Sequence, residues 1–169
     1  MAGHRTGLSV YRRVDLWYTI SMAKNKTLWI MQGIPGSGKS TLAKVIADKV
    51  GGTIFSTDDF WYQKNGNTTE YDFDPGKLGV AHQWNQQRTV KEMAAPDSGD
   101  IIIDNTNITR KDAEPYMVMA KIFDYDVQVV SVQVPLQVAI DRQSDRPVDR
   151  QIPDTVIHRM YEKMERLDG

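Results

Sequence analysis

An octapeptide near the start of the chain constrains the fold more than any other feature of the sequence. Residues 33–40 read Gly-Ile-Pro-Gly-Ser-Gly-Lys-Ser and match the pattern G-x-x-x-x-G-K-[ST] at every fixed position. An apolar run over 27–32 precedes the octapeptide, and apolar residues at helical spacing follow it from 39 to 50. Glycines let backbone N–H groups curve around an anion, and a helix N-terminus adds partial positive charge. The octapeptide therefore predicts a phosphate-binding turn between a strand and a helix.

The turn and the first helical residues are expected to bind a nucleoside triphosphate. In this arrangement Lys39 reaches the β- and γ-phosphates, and the Ser40 hydroxyl binds Mg²⁺. ATP or GTP is therefore the expected phosphate donor, and Mg²⁺ is the expected metal cofactor. The predicted nucleotide-binding residues are Gly33, Ile34, Pro35, Gly36, Ser37, Gly38, Lys39, Ser40 and Thr41.

The rest of the chain alternates between strand-like and helix-like segments. Strand patterns cover residues 27–32, 53–56, 101–103 and 126–134. Helical patterns cover residues 39–50, 76–95, 110–123, 136–145 and 153–167. This alternation predicts an α/β fold with four or five parallel strands and helices on both faces of the sheet. The length fits one domain, which we expect over 26–169 after a flexible N-terminal extension over 1–25.

Cysteine content, apolar run length and charge exclude several classes of protein. The chain has no cysteine, which excludes a disulfide scaffold, a thiolate zinc site and a cysteine nucleophile. Its apolar runs are far shorter than the roughly 18 residues of a membrane helix, so we expect a cytoplasmic protein. Residues 1–26 carry a charge of +4 and the whole chain −1, which leaves −5 for residues 27–169. That balance excludes a broad basic surface, so any nucleic acid must be bound through local contacts.

Acidic residues follow two of the predicted strands. Asp58 and Asp59 come after the second strand, and Asp104 directly follows the third. The carboxyl ends of parallel strands share one edge of a sheet, so these carboxylates are expected to face the phosphates. Transfer to a hydroxyl needs a carboxylate within hydrogen-bond reach, and we expect Asp58 to be this general base. Asp59 is expected to cap a turn or to orient neighbouring groups. Asp104 is expected either to hold Mg²⁺ or to orient the acceptor.

Arginines recur every four residues near the end of the chain, at 142, 146 and 150. Positions four apart share one face of a helix, and Pro147 should end the helix just after Arg146. We expect Arg142 and Arg146 to close over the phosphates as a lid and to neutralise charge in the transition state. The alternative is a solvated surface, more so for Arg150, on which the arginines pair with Asp141, Asp145 or Asp149.

An irregular stretch over 60–75 carries aromatic residues, and the helical segment 82–88 mixes Trp84 with amides. Aromatic rings interleaved with amides can stack on nucleic-acid bases. They can equally form a small satellite core beneath a long loop, and both interpretations stay open. The acceptor-binding candidates, with those from the acidic motifs, are Asp59, Trp61, Trp84, Asn85, Asp104 and Asn107.

Taken in order, the motifs resemble the polynucleotide-kinase-like branch of the P-loop kinases. This branch includes the kinase domain of phage polynucleotide kinase and the P-loop module of NEDD-ligase-binding proteins. The resemblance covers about 26–167 and rests on G-I-P-G-S-G-K-S-T at 33–41, S-T-D-D-F at 56–60, A-H-Q-W-N-Q at 81–86, I-I-I-D-N-T-N at 101–107 and R-Q-S-D-R at 142–146.

The resemblance implies a role for each matching residue. Lys39 and Ser40 would serve the nucleotide and the metal. Asp58 matches the family's general base, Asp104 its second active-site aspartate, and Arg146 its lid arginine. The implied reaction is transfer of the γ-phosphate of a nucleoside triphosphate to a hydroxyl on nucleic acid, first of all the 5′ end of DNA or RNA.

One departure from the family keeps alternatives open. Where the phage enzyme has an acceptor-binding arginine shortly after the base, this chain has Trp61. The phosphate flanking a 5′-hydroxyl must then be bound otherwise, or the acceptor is not a 5′ end. The alternatives are a kinase of a hydroxymethylated base in phage DNA, a small-molecule kinase, and a nucleotide-binding interaction module with little turnover. The sequence predicts no particular oligomeric state.

Overall fold

Four parallel strands organise the fold, in a computed structural model that describes residues 25–62 and 71–167. The strands are β1 (Thr27–Gln32), β2 (Thr53–Phe55), β3 (Ile101–Ile103) and β4 (Asp126–Ser131). Their order across the sheet is β2-β3-β1-β4, and all three pairs are parallel. The predicted parallel α/β sheet is confirmed. Of the predicted extension over 1–25, only Asn25 lies within the described residues.

The described ranges contain five α-helices, of which the first three connect the strands and the last two follow β4. They are α1 (Lys39–Val50), α2 (Leu78–Met93), α3 (Arg110–Ile122), α4 (Leu136–Asp141) and α5 (Asp154–Lys163). Short 3-10 segments lie at Thr57–Tyr62, Pro75–Lys77 and Val148–Arg150. In the described part of the chain, no helix is both long and apolar enough to cross a bilayer.

The last strand and the last two helices are shorter than the sequence predicts, and α5, predicted over 153–167, covers only Asp154–Lys163. The helix predicted over 136–145 ends early because the backbone tightens into i to i−3 hydrogen bonds, from Gln143 N to Ile140 O and from Arg146 N to Gln143 O. The fourth strand ends at Ser131 because its neighbour β1 ends at Gln32, where the glycine-rich loop begins. The end of β4 is thus set by a neighbouring strand, which a pattern along one segment does not include.

The central strand β1 is buried along its whole length, because it has a strand on each side and helices on each face. Leu28 and Ile30 pack in a cluster that includes residues of α3. Trp29 and Met31 point the other way, into a cluster with residues of α1. Successive side chains of a strand alternate between faces, so a strand covered on both faces is apolar throughout.

Ile34 anchors the octapeptide to the C-terminal helices. Its side chain is 2% exposed and packs with Ala139 of α4 and Ile157 of α5. The segment that follows α4 is thereby held beside the octapeptide. A buried Ile34 side chain leaves only the backbone of this residue available to a nucleotide.

Gly36 provides a test of this packing. A Cβ added to Gly36 would lie 2.4 Å from the Ala139 carbonyl oxygen, and the residue has a φ of +85°. We expect Gly36→Ala to lower the free energy of unfolding by about 1–3 kcal/mol, the usual cost of a strained backbone. The control is Gly79→Ala on α2, where an added Cβ meets nothing within 4 Å. Urea denaturation should show the control to be neutral or stabilising, and equal losses in both variants would contradict the packing described.

Candidate active site

The loop between β1 and α1 leaves the start of α1 open to an anion. Gly38 has a φ of +95° and is the N-cap of α1. No side chain caps this helix, and no acidic residue lies in its first turn. Lys39, Ser40 and Thr41 form that turn, and Ser40 and Thr41 are exposed. The N-terminal N–H groups of α1 have no competing carboxylate, which suits a phosphate.

Contacts on two sides hold this loop in place. The Gly33 N–H donates to the Thr106 carbonyl oxygen at 2.9 Å, which ties the loop to the segment after β3. From the other side, the Arg142 guanidinium donates to the Gly36 carbonyl oxygen at 2.9 Å. The Ser37 Oγ is buried and has no hydrogen-bond partner among the described residues. A bound oxygen ligand could supply the missing partner, since buried polar groups are rarely left unpaired.

Lys39, Asp58 and Asp104 influence one another electrostatically. Burial lowers the pKa of the Lys39 ammonium group, and the carboxylates of Asp104 and Asp58 oppose this shift. Burial raises the pKa of Asp58, while Lys39 lowers it and Asp104 raises it further. These residues follow β1, β2 and β3, whose carboxyl ends lie at one edge of the sheet. The lysine and the two aspartates therefore lie within electrostatic range of one another at that edge.

Asp104 presents a carboxylate oxygen that lacks a protein partner. Its Oδ1 is buried without a hydrogen bond in the described part of the chain, while its backbone N–H donates to the Phe55 carbonyl oxygen. A buried carboxylate oxygen is costly unless a donor or a cation meets it. The described residues contain no group of three His, Cys, Asp or Glu side chains that could hold a metal. Mg²⁺ is commonly bound by one or two protein ligands together with phosphate oxygens and water, so Asp104 and Ser40 fit this ion.

The three arginines at 142, 146 and 150 form no ion pair with a carboxylate within residues 25–62 and 71–167. The surface pairs with Asp141, Asp145 and Asp149, weighed as the alternative, are therefore not observed. Arg146 is half-buried and lowers the pKa values of both Lys39 and Asp58, which places its charge at the lysine–aspartate cluster. Arg142 contacts the octapeptide itself, as described above.

Asp59 is engaged by an arginine that the sequence analysis did not single out. Arg88 of α2 forms an ion pair with Asp59 and donates to the Ser56 carbonyl oxygen at 3.0 Å. Its guanidinium lies over the Trp84 ring, with 4.2 Å from Cζ to the ring centroid. Asp59 also accepts a 3.4 Å hydrogen bond from the Ser56 N–H. Asp59 therefore orients the turn after β2. The spacing of Trp84 and Arg88, which places both on one helix face, was the sequence feature that could have predicted the position of Arg88.

A buried polar network joins the turns that carry Asp58 and Asp104. Asn85 of α2 and Asn105 both donate side-chain N–H groups to the Tyr116 hydroxyl, at 2.9 and 3.2 Å. Asn105 in turn accepts from the Thr57 N–H at 2.9 Å. Since Thr57 precedes Asp58 and Asn105 follows Asp104, one tyrosine hydroxyl of α3 fixes both turns.

Three predicted acceptor-binding residues require correction. Trp61 is 1% exposed and makes edge-on contacts with Phe60 and Phe73, so the satellite-core interpretation holds for this ring. Asn85 is fully buried in the network just described. Asn107 is 2% exposed and donates to the Met31 carbonyl oxygen at 2.7 Å. Burial prevents these side chains from contacting an acceptor, whereas Trp84 is half-buried and stays a candidate.

Two tyrosines that flank residues 63–70 lie beside the cluster. The Tyr62 and Tyr71 ring centroids are 5.4 Å apart. Burial raises the pKa of Tyr71 to about 12, and the Asp58 charge adds to this shift. Tyr71 therefore lies within electrostatic range of the candidate base, which the sequence analysis did not anticipate for any particular residue of the aromatic stretch.

Comparison with known proteins identifies the family of this chain. The sequence pattern of a family described as an AAA domain, AAA_33, matches residues 28–167. The chain belongs to this family. It is a P-loop kinase-like domain with a putative polynucleotide kinase/RNA ligase among its relatives, and the resemblance inferred from its motifs is confirmed.

Curated relatives match over different parts of this chain. Human NEDD4-binding protein 2 is 44% identical over 101 residues, or 59% of this chain. The 2′,3′-cyclic-nucleotide 3′-phosphodiesterase of Pongo abelii is 36% identical over 62% of it. A putative bifunctional polynucleotide kinase/RNA ligase of Autographa californica nuclear polyhedrosis virus is 24% identical over 89%. The matches span 5%, 24% and 22% of these relatives' own lengths.

Solved structures share the fold. A chain of the Pnkp1/Rnl/Hen1 RNA repair complex has a TM-score of 0.66 and 20% identity, over 83% of this chain and 44% of its own. A gluconokinase from Sinorhizobium meliloti 1021 has a TM-score of 0.60 and 15% identity, over 87% of this chain and 79% of its own. At these identities the similarity is one of fold.

The Tyr116 hydroxyl can be removed to test the network. Tyr116→Phe leaves the amide groups of Asn85 and Asn105 without their acceptor, so the free energy of unfolding should fall by about 1–3 kcal/mol in urea denaturation. Tyr161→Phe makes the same change at a residue that is 48% exposed. We expect this control to stay within about 0.5 kcal/mol of the wild type. A Tyr116→Phe variant as stable as the wild type would show that the network does not fix these turns.

Proposed function

We propose that this domain transfers the γ-phosphate of ATP, or of GTP, to a hydroxyl group of nucleic acid, first of all the 5′-hydroxyl of a DNA or RNA end. The observation that carries the proposal is the position of Asp58, whose carboxylate shares one electrostatic cluster with Lys39, Asp104 and Arg146. A carboxylate opposite a phosphate-binding lysine is what transfer to a hydroxyl requires. The viral relative named as a polynucleotide kinase/RNA ligase supports this choice of acceptor.

The donor side would use the octapeptide and α1. Backbone N–H groups of the loop and the helix N-terminus bind the triphosphate, and Lys39 contacts its β- and γ-phosphates. Ser40 and Asp104 would hold Mg²⁺, which neutralises charge on the β- and γ-phosphates when bound. Arg142 steadies the loop through the Gly36 carbonyl oxygen and adds positive charge at its rim.

The acceptor side would use Asp58 as the general base. Asp58 takes the proton from the acceptor hydroxyl, and the freed oxygen attacks the γ-phosphorus. The bond from that phosphorus to the β–γ bridging oxygen breaks, and the nucleoside diphosphate leaves. A raised pKa makes Asp58 a stronger base than an ordinary aspartate, while Lys39 and Arg146 favour its ionised form. Arg146 would stabilise the charge that spreads over the transferred group.

A small-molecule kinase is the second candidate. The charge of −5 on residues 27–169 does not favour a polyanionic acceptor. The gluconokinase shares the fold over 79% of its own length. A sugar or nucleoside hydroxyl could reach the same base without a phosphate contact.

One assay separates these candidates. The protein is incubated with Mg²⁺ and ATP labelled in the γ-phosphate, in parallel with 5′-hydroxyl DNA, 5′-hydroxyl RNA, duplex DNA containing hydroxymethylated bases, gluconate and nucleosides. We expect label on the 5′ oxygen of the oligonucleotides, located by nuclease digestion. Label on gluconate or nucleosides alone would favour the second candidate, and label on the base would indicate DNA modification.

Asp58→Asn should separate catalysis from binding and folding. Loss of the general base should reduce transfer by at least about 100-fold, while the dissociation constant for ATP stays unchanged. The pKa of Asp58 is raised in the folded state, so its ionisation opposes folding. This penalty is absent well below pH 4, grows as the pH rises above the unfolded-state pKa, and is complete once the pH exceeds the folded-state pKa. The variant should therefore have a higher Tm than the wild type at pH 7.

The matched control is Asp124→Asn, the same change before β4 at the opposite edge of the sheet. Its transfer rate should equal that of the wild type. Unchanged turnover in Asp58→Asn would assign the base to another residue.

Arg146→Ala should alter both the rate and its pH dependence. Loss of transition-state charge should lower kcat by about 100-fold, with the ATP dissociation constant little changed. Arg146 lowers the pKa of Asp58, so its removal should move the acidic limb of the kcat/KM profile to higher pH. Arg166→Ala, which removes an exposed arginine, serves as the control. A rate loss with an unshifted acidic limb would mean that Arg146 does not act on the base.

A further inference from the structure

Arg150 lies against the aromatic side of the candidate site. Its guanidinium carbon is 5.1 Å from the centroid of the Tyr62 ring and 5.6 Å from that of Tyr71. Among the described residues, this guanidinium has neither a carboxylate partner nor a side-chain hydrogen bond. Arg150 is exposed, as the solvated-surface alternative expects, but its guanidinium packs on two aromatic rings instead of pairing with a neighbouring aspartate.

Tyr71 connects Arg150 with the candidate base. The charges of Asp58, Arg150 and Arg146 all act on the Tyr71 hydroxyl, the first raising its pKa and the two arginines lowering it. The Tyr71 ring is also parallel to the ring of Phe73, which is 47% exposed. Arg150 is thus held at a partly open aromatic surface that lies within electrostatic range of Asp58.

The arginines divide between the two sides of the cluster. Arg142 contacts the octapeptide through the Gly36 carbonyl oxygen, on the donor side. Arg146 acts on Lys39 and Asp58, where transfer would take place. Among the described residues, the Arg150 guanidinium contacts the rings of Tyr62 and Tyr71 and no group of the octapeptide, so its positive charge is not used by the donor side.

We propose that Arg150 binds the phosphodiester group adjacent to the acceptor hydroxyl, with Tyr62 and Tyr71 holding its guanidinium in place. This inference rests on the proposed function and names a contact for its acceptor. A guanidinium packed against aromatic rings keeps its N–H donors in its own plane, where they can bind two phosphate oxygens. Because residues 27–169 carry a net charge of −5, a polyanionic strand needs local cationic contacts of this kind.

Steady-state kinetics with two acceptors test the contact. One acceptor is a 5′-hydroxyl oligonucleotide, and the other is identical except for a neutral methylphosphonate at its first linkage. We expect Arg150→Ala to raise KM for the phosphodiester about tenfold, equivalent to about 1.4 kcal/mol, with kcat changed less than about twofold. With the methylphosphonate, the variant and the wild type should have equal KM values.

Two further variants define the contact. Arg150→Lys keeps the charge but not the planar donor set, so its KM should lie between those of the wild type and Arg150→Ala. Arg159→Ala removes an exposed arginine of α5 and should leave both KM values unchanged. An equal rise in KM for both acceptors in Arg150→Ala would overturn the inference, because Arg150 would then not act on the phosphate. A wild-type protein that labels neither oligonucleotide would instead contradict the proposed function.

Discussion

Parallel pairing of β1 with β3, and of β3 with β2, is the constraint on which the site depends. It places the carboxyl ends of three strands side by side, so residues far apart in the chain meet at one edge. Lys39, Asp58 and Asp104 each follow one of these strands within a few residues. Antiparallel pairing would carry one of them to the opposite edge. Burial of β1 on both faces makes this arrangement rigid, because the strand cannot shift without exposing apolar side chains.

A second set of polar contacts holds the turns that carry Asp58 and Asp104 in defined positions. The Tyr116 hydroxyl accepts from Asn85 and Asn105, and through Asn105 it reaches the turn that carries Asp58. Arg88 holds the same turn from α2. Partial desolvation at the cluster lowers the pKa of Lys39 and raises that of Asp58, so each shift favours the neutral form. Surrounding contacts must therefore hold charged groups where phosphates, a metal ion and an acceptor would later compensate them, a common arrangement at active sites.

Family membership says more about the type of reaction than about the identity of the acceptor molecule. The relatives include a human binding protein, a cyclic-nucleotide phosphodiesterase and a viral polynucleotide kinase/RNA ligase, and this chain spans at most 24% of their lengths. What this domain phosphorylates must then be argued from its own acceptor side. There, Trp61 is buried in an aromatic cluster, and the exposed surface belongs to Tyr62, Tyr71, Phe73 and Arg150. Under the proposed function, a single cation at this surface would allow an acidic domain to bind a polyanionic acceptor.

The sequence by itself determined the fold class, the phosphate-binding loop and the strand ends that carry the acidic residues. Each is encoded locally, in a glycine pattern, an apolar run or a carboxylate directly after a strand. Only the tertiary structure decided which aromatic and amide side chains are accessible. Asn85 and Asn107 resemble surface amides in the sequence, yet each satisfies buried groups from distant segments. The positions of Arg88 and Arg150 were likewise decided by partners more than twenty residues away, and no local pattern contains that information.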